Sequence, residues 1–405
     1  MKKLQAPRGT QDVLPPDASR RLQVVDIAGE SLSRAGYEPM ETPVFEDTEV
    51  FARGVGESTD IVQKEMFTFE DKAGRSLTLR PEATAGICRA YIEHGMHKRP
   101  QPVKVWTAGP FFRHEAPQAG RFRQFTQIDA EAIGSDDPTL DAELILLFAE
   151  ILELTGTGPG RLRLSSLGSA SARAEYLEEL TRFLRAREGE LSDDVRARLD
   201  QNPLRAFDAD HAGTRAVMAE APRLIDSISP EDAEHFAEVR ALLDSAGLEY
   251  EIDPTLVRGL DYYTRTVFEF ESERLGAQAA LGGGGRYDGL IEELGGPPTP
   301  GVGFAAGIER MVLAAGEAEQ DHGIDVFVAG TGLDAFMLVG QLRSSGLRAQ
   351  MEQAGRSLKG QLKQADRLGA RWTVILGDEI EVKDMGTGAQ QRAASVDAVV
   401  RMVGA

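Results

Sequence analysis

Two runs of alternating hydrophobic and polar residues, separated by a turn rich in glycine and proline, occupy residues 103–133. Successive side chains of a β-strand point to opposite faces, so this alternation predicts a β-hairpin. The second run has one small, apolar face, formed by Phe122, Thr126, Ile128, Ala130 and Ala132. Its other face follows directly after Arg121 and carries Arg123, Phe125, Gln127, Asp129 and Glu131. The first strand places Arg113 and Glu115 together on one face in the same way.

The polar face of this hairpin is costly to bury unless its groups meet a ligand or one another. Arginine guanidinium groups match the geometry of phosphates, and Phe125 offers a flat surface for a nucleobase. Gln127 and Glu131 can hold a cationic or hydrogen-bonding group deeper in the site. A solvated sheet face with cross-strand ion pairs is the alternative, and the alternation by itself does not decide between the two.

Helical patterns flank the hairpin. An amphipathic helix is predicted from Asp17 to Ala35, and a buried helix over 136–155. Residues 161–173 predict a strand followed by a serine-rich turn. From about 170 to 240 the chain is charged and helix-rich, and prolines interrupt it. This segment separates two halves of one core, so we interpret it as an inserted helical module.

The stretch LTLRPEATAGICRAYIEHG (77–95) predicts a strand that runs into a helix. Glu82 and Thr84 stand at the start of that helix. A glutamate there stabilises the helix dipole and a threonine is a common cap, so helix capping alone can explain both residues.

A second polar cluster follows in residues 255–270, TLVRGLDYYTRTVFEF, which predict β-structure with several arginine and tyrosine side chains. A β-hairpin with aromatic cross-strand pairs is one explanation. The next stretch, LGGGGRYDGLI (281–291), contains four consecutive glycines. Such a run resembles a phosphate-binding loop, but neither Lys-Ser nor Lys-Thr follows it. We therefore expect a tight hairpin turn between strands at these glycines.

The C-terminal residues 323–405 alternate strand and helix patterns, which predicts a small sheet covered by helices, ending in an edge hairpin to residue 403. A helix over 355–370 would carry Arg356, Lys359 and Lys363 on one face, because they are spaced at i, i+3 and i+7. A solvated helix face is the alternative to an RNA-binding surface.

Charge and cysteine content narrow the function classes. The net charge of −20 argues against indiscriminate nucleic-acid binding, although residues 323–405 carry ten basic and nine acidic residues. An RNA partner would therefore have to meet locally basic surface. The single cysteine, Cys88, excludes an intramolecular disulfide and cysteine-rich zinc sites, and the histidines show no metal-ligand spacing. No run of apolar residues is long enough to span a membrane.

Five stretches together resemble one family. FRHE followed by GRFRQFTQID is similar to motif 2 of class II aminoacyl-tRNA synthetases, in the form found in histidyl-tRNA synthetases. GYEPMETPVFEDTEVF (36–51) resembles motif 1, and PGVGFAAGIERMVLAAGE (300–317) resembles motif 3. LVRGLDYYTRTVFEF and LGGGGRYDGLI resemble signatures of the histidyl branch. Ala83 stands where many members have glycine, a small-for-small difference.

The resemblance implies an α+β fold. Its class II catalytic core, over 1–320, would hold a six- to seven-stranded, mostly antiparallel sheet flanked by helices. A helical insertion over 170–240 would lie within the core, and 323–405 would form an α/β anticodon-binding domain. The family resemblance also makes 54–66 a mobile loop and motif 1 a dimer-packing segment.

The implied activity is that of a histidine–tRNA ligase in the cytoplasm, with L-histidine, ATP, Mg²⁺ and tRNA(His) as substrates and partners, a homodimeric state and no membrane association. The residues expected to bind histidine are Glu82, Thr84, Arg113, Gln127, Glu131, Arg258, Tyr262, Tyr263 and Tyr287. Those expected to bind ATP are Arg113, Glu115, Arg121, Phe125 and Arg310.

Specific roles follow from the same resemblance. Arg258 and Arg113 would be the catalytic residues, and Glu115 would support either the adenine end of ATP or a Mg²⁺ ion. Protein side chains alone are not expected to form a metal site. Arg356, Lys359 and Lys363 would contact tRNA.

Two other classes of protein share much of this pattern. A non-catalytic paralogue that regulates histidine biosynthesis keeps the synthetase core, but such proteins typically lose the C-terminal domain and the signature around Arg258. A class II synthetase for threonine, proline or glycine has the same domain plan, and the stretches within 255–291 speak against it.

Overall fold

A computed structural model describes residues 3–57, 59–116, 120–200, 203–256, 259–276, 279–316 and 323–404. The chain divides into two compact units, Met1–Gly316 and Glu317–Ala405.

The first unit is built on a large, mostly antiparallel sheet. Its described strands are β1 (Glu38–Pro39), β2 (Phe45–Asp47), β3 (Phe67–Glu70), β4 (Ser76–Leu79), β5 (Val103–Phe112), β6 (Gln124–Ile133), β7 (Arg161–Ser166), β8 (Glu251–Ile252), β9 (Thr264–Glu271), β10 (Ala280–Arg286) and β11 (Gly301–Gly307). The large sheet has the order β1-β5-β6-β11-β10-β9-β7-β8, and β2, β4 and β3 form a small separate sheet. The predicted antiparallel sheet is confirmed in its six central strands, and the two-residue edge strands β1 and β8 add parallel pairs.

Helices cover both faces of the large sheet. Those described are α1 (Asp17–Arg34), α2 (Thr48–Val55), α3 (Thr84–Glu93), α4 (Pro138–Leu154), α5 (Ala170–Arg185), α6 (Asp193–Arg198), α7 (Ala212–Ala219), α8 (Pro230–Ser245), α9 (Leu290–Glu293) and α10 (Ile308–Ala315). Helices α1, α4, α8 and α10 pack on the face that presents Ile128 and Ala130 of β6. Phe148 of α4 stacks on Phe304 of β11, with ring centroids 4.7 Å apart. The apolar side of the predicted strand therefore faces this core, which leaves its polar side for the opposite face of the sheet.

The helix-rich segment over 170–240 divides between two hydrophobic cores. Helices α5, α6 and α7 bury Leu180, Val195 and Val217 in a second core, which also contains Tyr262 and Tyr287. Helix α8 instead packs against α4 in the first core.

The four-glycine run is not the hairpin turn that its composition suggests. Gly282 to Gly285 lie inside β10, between β9 and β11. A Cβ atom on Gly284 would lie 1.9 Å from the carbonyl oxygen of Gly303, and one on Gly285 would lie 2.5 Å from that of Thr266. Close approach of neighbouring backbones, rather than a turn, therefore accounts for glycine at these positions.

The second unit is a five-stranded sheet with helices on it. Its strands β12 (Val326–Ala329), β13 (Ala349–Met351), β14 (Trp372–Leu376), β15 (Ile380–Asp384) and β16 (Gln390–Ala393) have the order β13-β12-β14-β15-β16. Its helices are α11 (Gly332–Ser344), α12 (Leu358–Arg367) and α13 (Val396–Val403).

The predicted edge hairpin is present as the antiparallel pair of β15 and β16, but its predicted end at residue 403 is wrong, because β16 ends at Ala393 and α13 follows. Ser395 caps α13 by accepting from the backbone N–H of Ala398. Val399 and Val403, four residues apart, are buried on one face of this helix.

Candidate functional site

A cleft of about 280 Å³ opens on the polar face of the large sheet in the first unit. Every described residue that the sequence predicted to bind histidine or ATP lines it: Glu82, Thr84, Arg113, Glu115, Arg121, Phe125, Gln127, Glu131, Tyr262, Tyr263, Tyr287 and Arg310. Arg258 lies outside the described residues, and its neighbour Gly259 lines the cleft. Side chains from widely separated parts of the sequence therefore meet at one site.

Strand β6 forms one wall of the cleft. Alternate residues of this strand point into it, so that Phe125, Gln127, Asp129 and Glu131 line one wall in sequence order. Glu131 lies opposite Gly303 of β11 in the strand register. A Cβ atom on Gly303 would lie 1.7 Å from Oε2 of Glu131, so only glycine leaves room for this carboxylate.

Glu131 is held at the deep end of the cleft by two hydroxyl groups. Oγ1 of Thr84 donates to Oε1 of Glu131 at 2.6 Å, and the hydroxyl of Tyr287 donates to Oε2 at 2.6 Å. Burial raises the pKa of Glu131 to about 8, and the negative charge of Glu82 adds to the rise, while the two hydroxyl donors oppose it. This carboxylate is fixed in place before any ligand arrives.

Glu82 combines the two roles that the sequence left open. Its carboxylate accepts from the backbone N–H groups of Thr84 at 2.8 Å and Ala85 at 2.9 Å, and so caps α3. The hydroxyl of Tyr262 also approaches it, at 3.4 Å. Burial raises the pKa of Glu82 despite these hydrogen bonds. Glu82 is thus a helix cap that also lines the cleft.

Three tyrosines form the far wall. The ring of Tyr262 lies 4.8 Å from that of Tyr263 and 5.9 Å from that of Tyr287, between ring centroids. Tyr287 directly follows Arg286, which is wholly buried and paired with Asp141 of α4, with Nη2 and Oδ2 2.7 Å apart. Sequence patterns do not reveal this buried ion pair, because its two partners lie 145 residues apart in the chain.

The outer end of the cleft carries the arginines. Nε of Arg113 donates to the carbonyl oxygen of Pro81 at 2.9 Å, and its guanidinium lies 5.5 Å from the ring centroid of Phe125. Arg121 forms an ion pair with Glu115. Nη1 of Arg310 donates to the carbonyl oxygen of Ala280 at 2.6 Å.

The ionisation of Glu115 reflects these arginines. Burial alone would raise the pKa of Glu115, but the hydrogen bond from Arg121 and the charge of Arg113 together lower it. The outer end therefore combines three arginines with the ionised carboxylate of Glu115, and phosphate groups suit the arginines.

The segment that carries Tyr262 and Tyr263 is anchored on two sides. Nη1 of Arg173, in α5, donates to the carbonyl oxygens of Asp261 at 2.6 Å and Tyr263 at 3.2 Å. On the other side, the backbone N–H of Asp261 donates to the carbonyl oxygen of Val55 at 3.2 Å. Helix α5 and the C-terminal end of α2 therefore both contact the segment that carries these two tyrosines. Ser58, within the predicted loop over 54–66, lies outside the described residues.

Asp129 is the residue of the cleft that the sequence placed on the polar face without giving it a role. Its side chain lines the cleft between Gln127 and Glu131 and is 1% exposed. Burial raises the pKa of Asp129 well above its usual range, and the neighbouring charge of Glu131 adds to the rise. The sequence signal for a role in the cleft was its position on β6, two residues from Gln127 and two from Glu131.

In the second unit, the three predicted tRNA contacts do not share a helix face. Lys359 and Lys363 are exposed on α12, which begins at Leu358. Arg356 precedes the helix and pairs with Glu352, with Nη1 and Oε1 3.3 Å apart. The predicted helix start at residue 355 is therefore too early, because Ser357 occupies the N-cap position.

Across the described ranges, His, Cys, Asp and Glu form no group of three that could hold a metal ion. None of the described helices has the length and apolar character that a membrane crossing requires.

Comparison with known proteins adds the family context. A family model described as Histidyl-tRNA synthetase matches residues 9–311, and one described as Anticodon binding domain matches residues 326–404. A histidine–tRNA ligase of Rubrobacter xylanophilus is 47% identical over 96% of both chains, and one of Geobacillus kaustophilus is 48% identical over 95% of both. The crystal structure of apo S. aureus histidyl-tRNA synthetase has a TM-score of 0.82 at 37% identity and covers 100% of both chains.

Proposed function

The chain belongs to the histidyl-tRNA synthetase family, and from this premise we propose how its cleft joins L-histidine to ATP. The protein is a histidine–tRNA ligase, which uses ATP and carries an anticodon-binding domain. One observation carries the proposal: groups suited to an amino acid and groups suited to a nucleotide line a single cleft.

Histidine binds at the deep end, with its ammonium group near Glu82, Thr84 and Gln127. Its imidazole ring contacts Glu131 and the tyrosine pair Tyr263 and Tyr287. Because Glu131 is already oriented by two hydroxyl donors, it can accept an imidazole N–H without rearrangement. A polar pocket of this kind rejects isosteric side chains that lack the donor, by as much as ~10⁴-fold.

ATP binds at the outer end, with its adenine stacked on Phe125. Arg113 contacts the α-phosphate, and Arg121 and Arg310 contact the outer phosphates. Mg²⁺ enters with ATP, and carboxylate oxygens are ligands that it prefers. Glu115 and Glu269 supply such oxygens along this part of the cleft.

In the first reaction step, a carboxylate oxygen of histidine attacks the α-phosphorus of ATP, and the bond to the bridging oxygen of the β-phosphate breaks. Pyrophosphate leaves and histidyl-adenylate remains. Positioning and charge neutralisation carry most of the rate in such a displacement. Arg113 and Arg258 neutralise the charge that develops at the α-phosphate. In the second step, a hydroxyl of the 3′-terminal ribose of tRNA(His) attacks the adenylate carbonyl, and AMP leaves.

The chain works as a homodimer in the cytoplasm, and the segment over 36–51 forms part of the contact between subunits. Three large apolar side chains on or beside the small sheet are unusually exposed: Val44 at 38%, Phe45 at 51% and Phe69 at 43%. A second subunit would cover them. Gel filtration at several concentrations tests this, since a monomer at all of them would contradict it.

ATP–pyrophosphate exchange with each of the twenty amino acids tests the reaction. Exchange that depends on histidine alone is the expected result. Exchange with threonine, proline or glycine would assign the chain to another class II specificity. No exchange with any amino acid would favour a regulatory, non-catalytic role.

A further inference from the structure

The carboxylates at the deep end of the cleft differ in how their oxygens are satisfied. Both oxygens of Glu82 accept backbone N–H groups, and both oxygens of Glu131 accept hydroxyl groups. Oδ2 of Asp129 is buried and has no hydrogen-bond partner among the described residues. Buried acceptors in native proteins are nearly always hydrogen-bonded, so an unsatisfied one needs an explanation, and a bound ligand can supply the absent donor.

Gln127 presents a second acceptor in the same condition. Its Oε1 is buried and has no partner within the described part of the chain. Gln127 and Asp129 are two residues apart on β6, so their side chains leave the same face about 7 Å apart. A single nitrogen placed between two oxygens at hydrogen-bonding distance spans about 5.6–6 Å, which is compatible with this spacing.

Arg80 is an alternative partner for Asp129, because its charge, like that of Arg113, acts on this carboxyl. Its guanidinium is already engaged, however. Nε donates to the carbonyl oxygen of Pro110 at 2.9 Å, and Nη1 donates to the carbonyl and the hydroxyl of Thr42 at 3.1 and 3.2 Å. The same group lies over the ring of Phe111, 4.5 Å from its centroid. Arg80 thus stabilises the region without satisfying Oδ2 of Asp129.

We propose that Asp129 binds the α-ammonium group of histidine directly, with Oδ2 of Asp129 and Oε1 of Gln127 as two of its acceptors. An ammonium group carries three N–H donors and no acceptor, so it fits a place with two bare acceptors. Its positive charge also offsets the cost of burying the carboxyl groups of Glu82, Asp129 and Glu131. This inference rests on the proposed function, and it makes Asp129 a substrate-binding residue of that site.

Three ligands separate an ammonium contact from a structural role. L-Histidine and L-histidinol both carry the ammonium group, whereas imidazolepropionate keeps the imidazole ring and the carboxylate and lacks the ammonium. The variant Asp129→Asn replaces the ionisable carboxyl group with a neutral amide of almost the same shape. Binding of each ligand to the full-length protein is measured by isothermal titration calorimetry, for the wild type and for the variant.

We expect Asp129→Asn to weaken the binding of histidine and of histidinol about 10- to 100-fold, which is the range for a lost hydrogen bond to a charged group. Binding of imidazolepropionate should stay within about twofold, on the same reasoning, because no contact to it is lost. Equal losses for all three ligands, or no loss for any, would overturn the proposal. Asp244→Asn makes the same change at an exposed position of α8 and should alter none of the three affinities.

Partial unfolding of the variant would not change this conclusion, because a smaller folded fraction weakens the apparent binding of all three ligands equally. If Asp129→Asn does not fold, Asp129→Ser provides the same comparison with a smaller side chain. Histidine-dependent pyrophosphate exchange by the wild type is measured in parallel. Its absence would contradict the proposed function, whereas its presence together with equal ligand losses would contradict the role of Asp129 alone.

Discussion

The two ends of the cleft use charge in opposite ways. At the outer end, the arginines are held by protein acceptors: Arg113 by the carbonyl of Pro81, Arg121 by Glu115, and Arg310 by the carbonyl of Ala280. At the deep end, Gln127 and Asp129 keep buried acceptors that no described residue satisfies.

This difference predicts how each end tolerates change. A guanidinium group that already has a protein partner can exchange it for a phosphate oxygen at a modest net gain, because one hydrogen bond replaces another. A buried acceptor has no such alternative, and the ligand must satisfy it. Substitutions at the deep end should therefore cost more than substitutions at the outer end.

The largest effect is expected at Glu131. Glu131→Gln keeps the shape but replaces one of the two carboxyl oxygens with an NH2 group, which would face the hydroxyl donor of either Thr84 or Tyr287. We expect kcat/KM for histidine in pyrophosphate exchange to fall roughly 10³-fold, since about 4 kcal/mol of transition-state stabilisation is at stake. The KM for ATP should change little.

Glu143→Gln is a matched control for this variant. Glu143 also accepts from a tyrosine hydroxyl, that of Tyr37 at 3.0 Å, but it does not line the cleft. Its exchange activity should remain near that of the wild type. A similar fall in both variants would mean that the loss at Glu131 reflects general destabilisation.

A smaller effect is expected at Arg310, at the outer end. Arg310→Gln should raise the KM for ATP roughly 30-fold, equivalent to about 2 kcal/mol for a lost charge-assisted hydrogen bond. The KM for histidine should be unaffected. Arg274→Gln is the control, because Arg274 also donates to a carbonyl, that of Ala314 at 2.8 Å, outside the cleft. A larger effect on histidine than on ATP would reverse the comparison between the two ends.

The pH dependence of stability should differ in sign between the ends. The folded chain keeps Glu131 protonated up to a pKa of about 8, whereas the unfolded chain releases this proton near 4.5. The folded state then binds more protons between these values, so the free energy of unfolding falls as pH rises, by at most about 1.4 kcal/mol per pH unit. Glu115 has a lowered pKa, and its stabilising contribution is lost as pH falls instead.

Urea unfolding between pH 6.5 and 8 measures the contribution of Glu131. His235, whose pKa is lowered to about 4 by burial and by nearby arginines, opposes this trend only below its ordinary value of 6.5. The wild type should lose stability across this interval more steeply than Glu131→Gln. Parallel curves for the two proteins would contradict the raised pKa of Glu131.

The smallest effect is expected in the second unit, away from the cleft. Lys359→Ala together with Lys363→Ala should weaken tRNA(His) binding about 3- to 10-fold and lower the salt dependence, as for two lost phosphate contacts. Pyrophosphate exchange, which needs no tRNA, should not change. Arg392→Ala removes an exposed charge already paired with Glu379, 2.8 Å away, and serves as the control. Equal binding by all three proteins would exclude α12 from the RNA contact.

Local patterns in the sequence determined much of this site. The alternation in β6 predicted which side chains would share a face, and Phe125, Gln127 and Glu131 do line the cleft together. The predicted change from strand to helix within residues 77–95 is also confirmed, because β4 (Ser76–Leu79) and α3 (Thr84–Glu93) occupy this stretch. The periodicity of hydrophobic residues depends only on residues that are close in sequence, so it can be recognised without knowledge of the fold.

Tertiary structure decided the remainder. Thr84 and Tyr287 lie 47 and 156 residues from Glu131 in the chain, yet both donate to it. The glycines of β10 were predicted to form a turn, but they lie in a strand, and the close approach of β9 and β11 explains why glycine occupies these positions. Asp129 looked like its neighbours in the alternation, and its unsatisfied oxygen emerged only once the surrounding groups were in place. Hydrogen-bond partners and backbone spacing depend on segments distant in sequence, which local propensities do not encode.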